Sequence, residues 1–334
     1  MKAFRIEAPG VAGVAEIPKL EPRRGETLLR VKMVGMCGTD LNTFRGRNPM
    51  AQYPRILGHE VAAEVTEGGM DLPSGTYVTI SPYTSCGLCR ACLCGRTNAC
   101  QRNETMGVQR DGAMTEYISV PREKLYPANL SIKKLCLVEP LTVGFHAVAR
   151  GRVTAEDTVA IFGCGGVGLG AIAASAFCGA KTIAIDMDDA KLEISRKAGA
   201  KYFINTARED LHTSLQEITD GHGPDVMIEA IGLPYSFRAA VEEAAFTGRV
   251  VYIGYAKEHV AYETRLFVQK ELDILGSRNA LPDDFRQVIC MLEDKRFPVD
   301  EVVNIIVGLE DAGRLLKAWN NDPAKFTKIM VQLG

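Results

Sequence analysis

The sequence predicts an α/β protein, in which a β-rich part is followed by a parallel sheet with helices on both faces. Apolar runs such as 27–34 and 61–65, separated by Gly and Pro turns, are typical of strands and fill the first part. From about residue 143 onward, short apolar strands alternate with helical stretches, as in βαβ units. A glycine-rich turn at 163–168 joins one of these strands to an Ala-rich helix. These three observations define the fold class.

The alternating part contains five predicted strands, and its rhythm ends near residue 279. The strands are predicted at 158–162, 182–185, 226–229, 250–253 and 272–275. Beyond them, a helix-like segment at 284–292 and a strand-like ending at 328–332 follow. With 334 residues, the chain is long enough for two domains that each bury a core.

The charge balance argues against a nucleic-acid or membrane-surface protein. A formal net charge of −2 gives no global field that would hold phosphates or anionic lipids. The chain contains no run of the roughly 20 apolar residues that span a bilayer, and its start lacks the apolar core of a signal peptide. We therefore expect a cytoplasmic protein. In that reducing compartment the ten cysteines are not expected to pair as disulfides, so a cluster among them indicates metal binding or catalysis.

The turn at 163–168 has the pattern of a dinucleotide-binding loop, G-x-G-x-x-G, between a strand and a helix. Gly163 permits the tight turn, Gly165 leaves room for a pyrophosphate, and Gly168 lets the helix approach the strand. Gly166 and Val167 lie within this loop, directly before the helix predicted at 169–177, whose positive end favours a pyrophosphate. The alternative is a purely structural glycine turn.

Asp186 ends the next predicted strand, about 20 residues after the glycines. Its carboxylate can accept hydrogen bonds from the ribose hydroxyls of an adenosine. The residues that follow, 187–189, supply no Arg to offset the repulsion of a 2′-phosphate. The sequence therefore predicts NAD rather than NADP as the cofactor.

Four cysteines, with the spacing C-x2-C-x2-C-x7-C, predict a structural zinc site. The ligands are Cys86, Cys89, Cys92 and Cys100, while Cys94 is expected to remain unligated. Four sulfur ligands leave no open position for a substrate, so this zinc should only staple the loop. A redox-active pair and a nucleic-acid-binding zinc ribbon are the alternatives, and the second lacks a surrounding basic run.

Residues that can bind a metal also occur in three separate apolar segments. Cys37 lies in one segment, His59 and Glu60 in the next, and Glu139 in the third. A buried carboxylate without a partner is costly, so Glu60 and Glu139 each require a cation or several donors. Taken singly, a buried Cys or His is more often structural; taken together, the four residues predict a second metal site.

The order of these motifs resembles the zinc-containing medium-chain dehydrogenases over essentially the whole chain. The sorbitol dehydrogenase branch is the more similar, because Glu rather than Cys stands at position 139. The segment 44–60 is similar to that of sugar-acid dehydrogenases such as the L-galactonate and L-gulonate 5-dehydrogenases. The resemblance implies a GroES-like catalytic domain, residues 1–143 and 280–334, and a Rossmann NAD-binding domain, residues 144–279.

The resemblance also implies roles for individual residues. Cys37, His59 and one of the carboxylates Glu60 and Glu139 would hold a catalytic zinc with an open fourth position, for two zinc ions per chain. Thr39 matches the hydroxyl residue that lies beside the substrate oxygen in relatives. Many relatives have a proton-relaying His at the position of Asn42, which cannot titrate near neutral pH. Water, a ribose hydroxyl or a site carboxylate such as Glu60 would then carry the proton.

The substrate expected from this resemblance is a secondary alcohol of a small polyol or sugar acid, best an aldonate oxidised at carbon 5. Arg45, Asn48 and Arg278 are the candidates for substrate binding, with Arg278 as the favoured anchor because a guanidinium holds hydroxyls or a carboxylate in a fixed fork. Interdomain salt bridges are the alternative role for the two arginines.

Other functions remain open. Within the same chemistry, a neutral polyol, a sugar-alcohol phosphate or threonine are alternative substrates. A non-catalytic protein that binds NAD and zinc is a different class, although it would not need paired buried carboxylates. Relatives assemble as dimers or tetramers, so we also expect a homo-oligomer.

Overall fold

The computed structural model describes residues 1–67, 72–294 and 296–334. The strands are β1 (Lys2–Ala8), β2 (Val11–Glu16), β3 (Glu26–Met36), β4 (Arg55–Ile56), β5 (Glu60–Val65), β6 (Tyr77–Ile80), β7 (Tyr117–Pro121), β8 (Leu125–Pro127), β9 (Thr158–Phe162), β10 (Lys181–Asp186), β11 (Tyr202–Asn205), β12 (Val226–Glu229), β13 (Arg249–Tyr252), β14 (Asp273–Gly276), β15 (Ile305–Gly308) and β16 (Ile329–Gln332). The helices are α1 (Gly38–Phe44), α2 (Arg90–Leu93), α3 (Ile132–Arg150), α4 (Gly166–Phe177), α5 (Asp189–Lys197), α6 (Leu211–Ile218), α7 (Pro234–Glu243), α8 (Arg265–Gln269), α9 (Pro282–Glu293), α10 (Val299–Val302) and α11 (Ala312–Asn321). Across these described ranges, a helix with the length and apolar character needed to cross a membrane does not occur.

The chain divides into two compact units. The first contains Met1–Glu139 and Val299–Gly334, and the second contains Pro140–Pro298.

The first unit is built from β-sheets. Strands β2, β1 and β4 form one sheet, and a second has the order β15-β16-β3-β5-β6-β8, with β7 also paired to β3. The C-terminal strand β16 runs antiparallel to β3, with Val331 opposite Val34. Both valines are fully buried, so the last residues of the chain complete the core of this unit.

The second unit is a six-stranded sheet with the order β11-β10-β9-β12-β13-β14, in which every pair is parallel. The strand order reverses between β9 and β12, which is the topological switch point where α/β proteins bind ligands. Buried apolar side chains such as Phe162, Ile183 and Met227 pack in its core. The α/β class with a β-rich part and a Rossmann-type sheet is thus confirmed.

The observed division differs from the expected one in the segment 280–298. Helix α9 lies in the second unit, whereas we assigned it to the first. The physical reason is a buried contact: Asp284, in the first turn of α9, pairs with His146 of α3 at 2.9 Å between Oδ2 and Nδ1. At the other boundary, the observed division lies four residues before the expected one.

Candidate metal and cofactor sites

The four cysteines of the C-x2-C-x2-C-x7-C segment form one compact group. The sulfur atoms of Cys86, Cys89, Cys92 and Cys100 all lie within 4.8 Å of one another. Backbone N–H groups donate to them, among them Cys89 N to Cys86 Sγ at 3.4 Å and Arg102 N to Cys100 Sγ at 3.3 Å. The neighbouring cysteine, at position 94, is exposed and lies outside the group.

Two of these thiols, Cys86 and Cys89, lose their protons more easily than a free cysteine, and the thiolate is the form that binds a metal. Backbone N–H donors of Cys92 and Gln101 lower the pKa of Cys89 to about 6, and similar donors lower the pKa of Cys86. Burial and the Cys89 thiol raise the pKa of Cys92 to about 11. Several thiolates at this spacing repel one another unless a cation lies between them. The donor set therefore fits a tetrahedral zinc.

Cys37, His59 and Glu60 form the second group, with their potential ligand atoms also within 4.8 Å of one another. Cys37 precedes α1, and its N–H donates to Asp40 Oδ2 at 2.8 Å. Glu60 begins β5 and His59 directly precedes it, so the end of a paired strand fixes both. His59 Nδ1 is buried and has no hydrogen-bond partner within the described residues.

The electrostatics around His59 favour a positive charge. Burial lowers the pKa of His59, but Cys37, Asp40 and Glu139 together raise it well above its ordinary value. Thiolate and carboxylates thus favour positive charge at this point. A zinc ion supplies that charge, so these residues fit the metal.

Glu139, the second candidate carboxylate, lies close by but outside the three-residue group. It is buried, and the Tyr83 hydroxyl donates to its Oε1. Burial raises the pKa of Glu139. The structure therefore brings Glu60, rather than Glu139, to the metal group.

Sequence reasoning missed two partners of these carboxylates. Lys328, near the C-terminus, forms a buried ion pair with Glu60 and donates to Met36 O at 3.2 Å. Tyr83 is the other. A Lys in the strand-like ending 328–332 could have indicated that an acidic partner exists, but not that the partner is Glu60.

The dinucleotide loop has the expected strand–loop–helix geometry. Gly163 has φ +89° and follows β9, and Gly165 precedes α4, which begins with Gly166, Val167 and Gly168. A Cβ on Gly168 would lie 1.7 Å from the carbonyl oxygen of Gly163, so only glycine permits this approach.

Asp186 ends β10 beside this loop. Its Oδ2 accepts from the N–H of Cys164 at 2.8 Å, and its Oδ1 accepts from Met187 and Asp188. The carboxylate is therefore held at the loop that a dinucleotide would approach.

Four of the remaining candidates lie in the first unit. Thr39 Oγ1 is 3.8 Å from Cys37 Sγ, and Asn42 is half-buried in α1. Arg45 and Asn48 make bonds inside the first unit: Arg45 donates to the side chain and carbonyl of Asn320, and Asn48 donates to Thr43 at 2.9 Å.

Arg278 is an exposed residue of the second unit, where it follows β14.

Two family profiles match the chain. Residues 23–130 match the alcohol dehydrogenase GroES-like domain, and residues 166–294 match the zinc-binding dehydrogenase domain.

Similar proteins cover nearly the whole chain. A zinc-type alcohol dehydrogenase-like protein of Haemophilus influenzae is 33% identical over 98% of both chains. L-Galactonate-5-dehydrogenase of Escherichia coli K12 is 33% identical over 84% of this chain and 83% of its own. The structure of the alcohol dehydrogenase RspB from E. coli CFT073 with NADH has a TM-score of 0.91 at 27% identity and covers 99% of both chains. A Sinorhizobium meliloti zinc-binding dehydrogenase bound to NADP has a TM-score of 0.90 at 28% identity, with 99% and 98% covered.

The chain belongs to the zinc-type alcohol dehydrogenase family. It is an oxidoreductase of the sorbitol dehydrogenase-like kind, and zinc and a nicotinamide dinucleotide are its cofactors.

Proposed function

We propose that the protein oxidises a secondary alcohol of a small polyol or sugar acid with NAD, and that an aldonate of the L-galactonate or L-gulonate type, oxidised at carbon 5, is its substrate. The observation that carries the chemistry is the convergence of Cys37, His59 and Glu60 within 4.8 Å. When bound, zinc supplies Lewis acidity toward a hydroxyl and the nicotinamide accepts a hydride. The similarity to L-galactonate-5-dehydrogenase supports the substrate class.

The chain's own residues orient the substrate and move its proton. Thr39 Oγ1 lies beside Cys37, where it can accept a hydrogen bond from the hydroxyl of a substrate and pass its own proton on to another group. Asn42 lies three residues after Thr39 in α1. Its side-chain amide can hydrogen-bond a water molecule but cannot take up a proton. Glu60, held by Lys328, is the carboxylate that we propose as a proton acceptor.

Asp186 supports the preference for NAD. A 2′-phosphate would meet its negative charge, and the three residues after it include two further acids and no Arg. The Sinorhizobium meliloti relative has the same fold and binds NADP in its crystal structure. We therefore attribute the proposed preference of this chain for NAD to Asp186 and the residues after it, and not to the fold.

Arg278 is the proposed anchor for the carboxylate of an aldonate. Arg45 and Asn48 already use their side-chain donors on Asn320 and Thr43, so binding a substrate would require breaking those bonds. These bonds support a structural role for Arg45 and Asn48, so their contact with substrate stays a secondary prediction. Arg278 is preferred because its guanidinium can hold a carboxylate or hydroxyls in a fixed fork.

Other relatives, about as similar to this chain as L-galactonate-5-dehydrogenase is, are named for other substrates. Those substrates are the alternatives to an aldonate. They include sorbitol, D-arabitol-phosphate and L-threonine 3-dehydrogenases, at 29%, 30% and 34% identity. We place these substrates behind the aldonates because segment 44–60 is similar to that of sugar-acid dehydrogenases.

A substrate panel tests the proposal. NADH absorbance at 340 nm is followed with L-galactonate, L-gulonate, sorbitol, a sugar-alcohol phosphate and L-threonine, before and after chelation and zinc re-addition. We expect the aldonates to have the highest kcat/KM, with loss on chelation and recovery with zinc. The variant Cys37→Ser should be inactive, whereas the exposed control Cys178→Ser should match the wild type. A preference for sorbitol would overturn the aldonate assignment, and metal-independent turnover would overturn the chemistry.

We also propose a cytoplasmic homo-oligomer, a dimer or tetramer. Light scattering coupled to size exclusion measures the subunit number, and a monomer at micromolar concentration would contradict this proposal.

A further inference from the structure

One fully buried carboxylate of the second unit has no part in the chemistry above. Glu229 ends β12, the first strand beyond the switch point, and it is fully shielded from solvent. In the register of the sheet it lies opposite Phe162, the residue that directly precedes the dinucleotide loop. The strand order therefore places Glu229 across the crevice from the glycines.

The Glu229 carboxylate closes the turn that follows it. Its Oε1 accepts from the N–H groups of Ile231 at 2.9 Å and Gly232 at 2.8 Å, and from Ser236 Oγ at 2.6 Å. Ser236 lies in the first turn of α7, where the helix dipole also favours a negative charge. Three donors on one oxygen hold residues 230–232 in a single conformation.

The turn 230–232 contacts the dinucleotide loop directly. Ala230 N donates to Phe162 O at 3.0 Å, and Ile231 Cγ1 lies 2.7 Å from the position that a Cβ on Gly163 would occupy. The Glu229 carbonyl also accepts from the N–H of Gly254 at 3.1 Å, which ties the loop after β13 to the same point. The turn therefore forms the side of the crevice opposite α4.

The surface of this side is apolar and open. Ile231 is 45% exposed and Leu233 is 55% exposed. Exposed apolar groups at the carboxyl ends of parallel strands suit a flat ring system that would shield them from water. Asp186 and α4, on the other side of the switch point, suit a ribose and a phosphate.

We propose that Glu229 is a positioning residue for the nicotinamide half of the dinucleotide, acting through the turn 230–232 without touching the cofactor. This inference rests on the proposed binding of NAD. It predicts that a change at Glu229 weakens a ligand that crosses the switch point more than one that stays on the Asp186 side.

The test compares NADH with 5′-AMP, which carries only the adenosine half. Dissociation constants are measured by calorimetry for the wild type and Glu229→Gln, together with Tm. Gln keeps the size and one acceptor oxygen but loses the charge, so we expect the Kd for NADH to rise about 5- to 10-fold and the Kd for AMP to change by less than about 2-fold. If Glu229→Gln does not fold, Glu229→Asp, which keeps the charge but is too short to reach the turn, is measured in the same way.

Asp225→Asn is the matched control. Asp225 directly precedes the same strand, at its opposite end, and accepts from Thr158 N at 2.8 Å. The Asp225→Asn variant should lower Tm while leaving the ratio of the Kd for NADH to the Kd for AMP unchanged. Equal weakening of NADH and AMP by Glu229→Gln, or unchanged NADH binding with a lower Tm, would show a purely structural role and overturn the inference. A folded wild type that does not bind NADH would instead overturn the proposed function.

Discussion

Lys328 and Glu60 form a buried ion pair although 268 residues separate them in the sequence. The side chains are 8% and 1% exposed, so neither charge is solvated by water to a useful degree. Burial alone would lower the pKa of Lys328, but Glu60 and Cys37 raise it above its ordinary value. The amine is therefore a permanent positive charge beside the metal group, and it compensates the carboxylate when zinc is absent.

Replacing Lys328 with Met should destabilise the metal-free protein strongly. Removal of one partner leaves Glu60 as an uncompensated buried charge, which typically costs about 3 kcal/mol or more. Urea unfolding with and without zinc measures the free energy of unfolding, and zinc should recover part of the loss. Lys133→Met breaks the exposed pair with Asp300 and should change stability by less than about 1 kcal/mol. If both variants lose the same amount, the buried pair has no special role.

The four-cysteine group should contribute stability rather than chemistry. Cys86→Ser removes one of four ligands, so we expect zinc content to fall from two to one per chain and Tm to decrease by several degrees. Activity per folded molecule should persist. Cys94→Ser, a change at an exposed cysteine outside the group, should leave zinc content and Tm unchanged. A Cys86→Ser protein that keeps its Tm but has no activity would contradict a structural role.

Asn42→His tests the proton route. Because Asn42 does not titrate, the wild type should already use another path, and a new His should shift the pH profile of kcat only modestly, with less than about a 3-fold change in turnover. Steady-state rates between pH 6 and 10 check this. A large gain in turnover would mean that proton release limits the wild-type enzyme.

Asp186→Asn should relax the choice of cofactor. Removing the charge reduces the repulsion of a 2′-phosphate, so the kcat/KM ratio of NAD to NADP should fall by about 10-fold or more. Tm is measured in parallel because Asp186 also accepts three backbone N–H groups. Asp188→Asn, at the N-cap of α5, is the control: Asn keeps the capping oxygen, so we expect little change in Tm and a smaller change in the ratio. An unchanged ratio in Asp186→Asn would assign cofactor choice to other residues.

Asp157 should contribute stability that acid removes. Burial raises the pKa of Asp157, but hydrogen bonds from Arg249 and from the N–H of Thr154 lower it by more. The pKa in the folded protein therefore lies below the ordinary value. The contribution is therefore present above about pH 4 and disappears as the pH falls through the folded pKa. Asp157→Asn should cost about 1 kcal/mol at pH 7 and less at pH 3, by urea unfolding. Asp283→Asn, at an exposed pair, is the control and should change the free energy of unfolding at pH 7 by less than about 0.5 kcal/mol.

Local motifs in the sequence predicted most of the fold and the grouping of the four cysteines. The spacing of Cys86 to Cys100 and of Gly163 to Gly168 encodes loops whose geometry depends on near neighbours, and the structure has these loops as expected. The α/β class and the parallel sheet followed from periodicity in the same way.

Long-range partners could not be predicted. Nothing near Glu60 in the sequence indicates Lys328, and nothing near Glu139 indicates Tyr83, because both contacts depend on tertiary packing. Likewise, the polarity of Arg45 suggested a ligand contact, whereas Asn320, 275 residues away, holds its guanidinium. The position of α9 depended on the buried pair of His146 and Asp284.

The discontinuity of the first unit has a consequence for protein synthesis. Its sheet needs β16 beside β3, and its acidic centre needs Lys328, so neither can be completed before residues 328–332 emerge from the ribosome. The second unit is one continuous stretch, Pro140–Pro298, and can acquire its structure during translation. A nascent chain that has not yet released residue 328 would therefore carry an apolar β3 edge without its partner strand, exposed to chaperones and proteases.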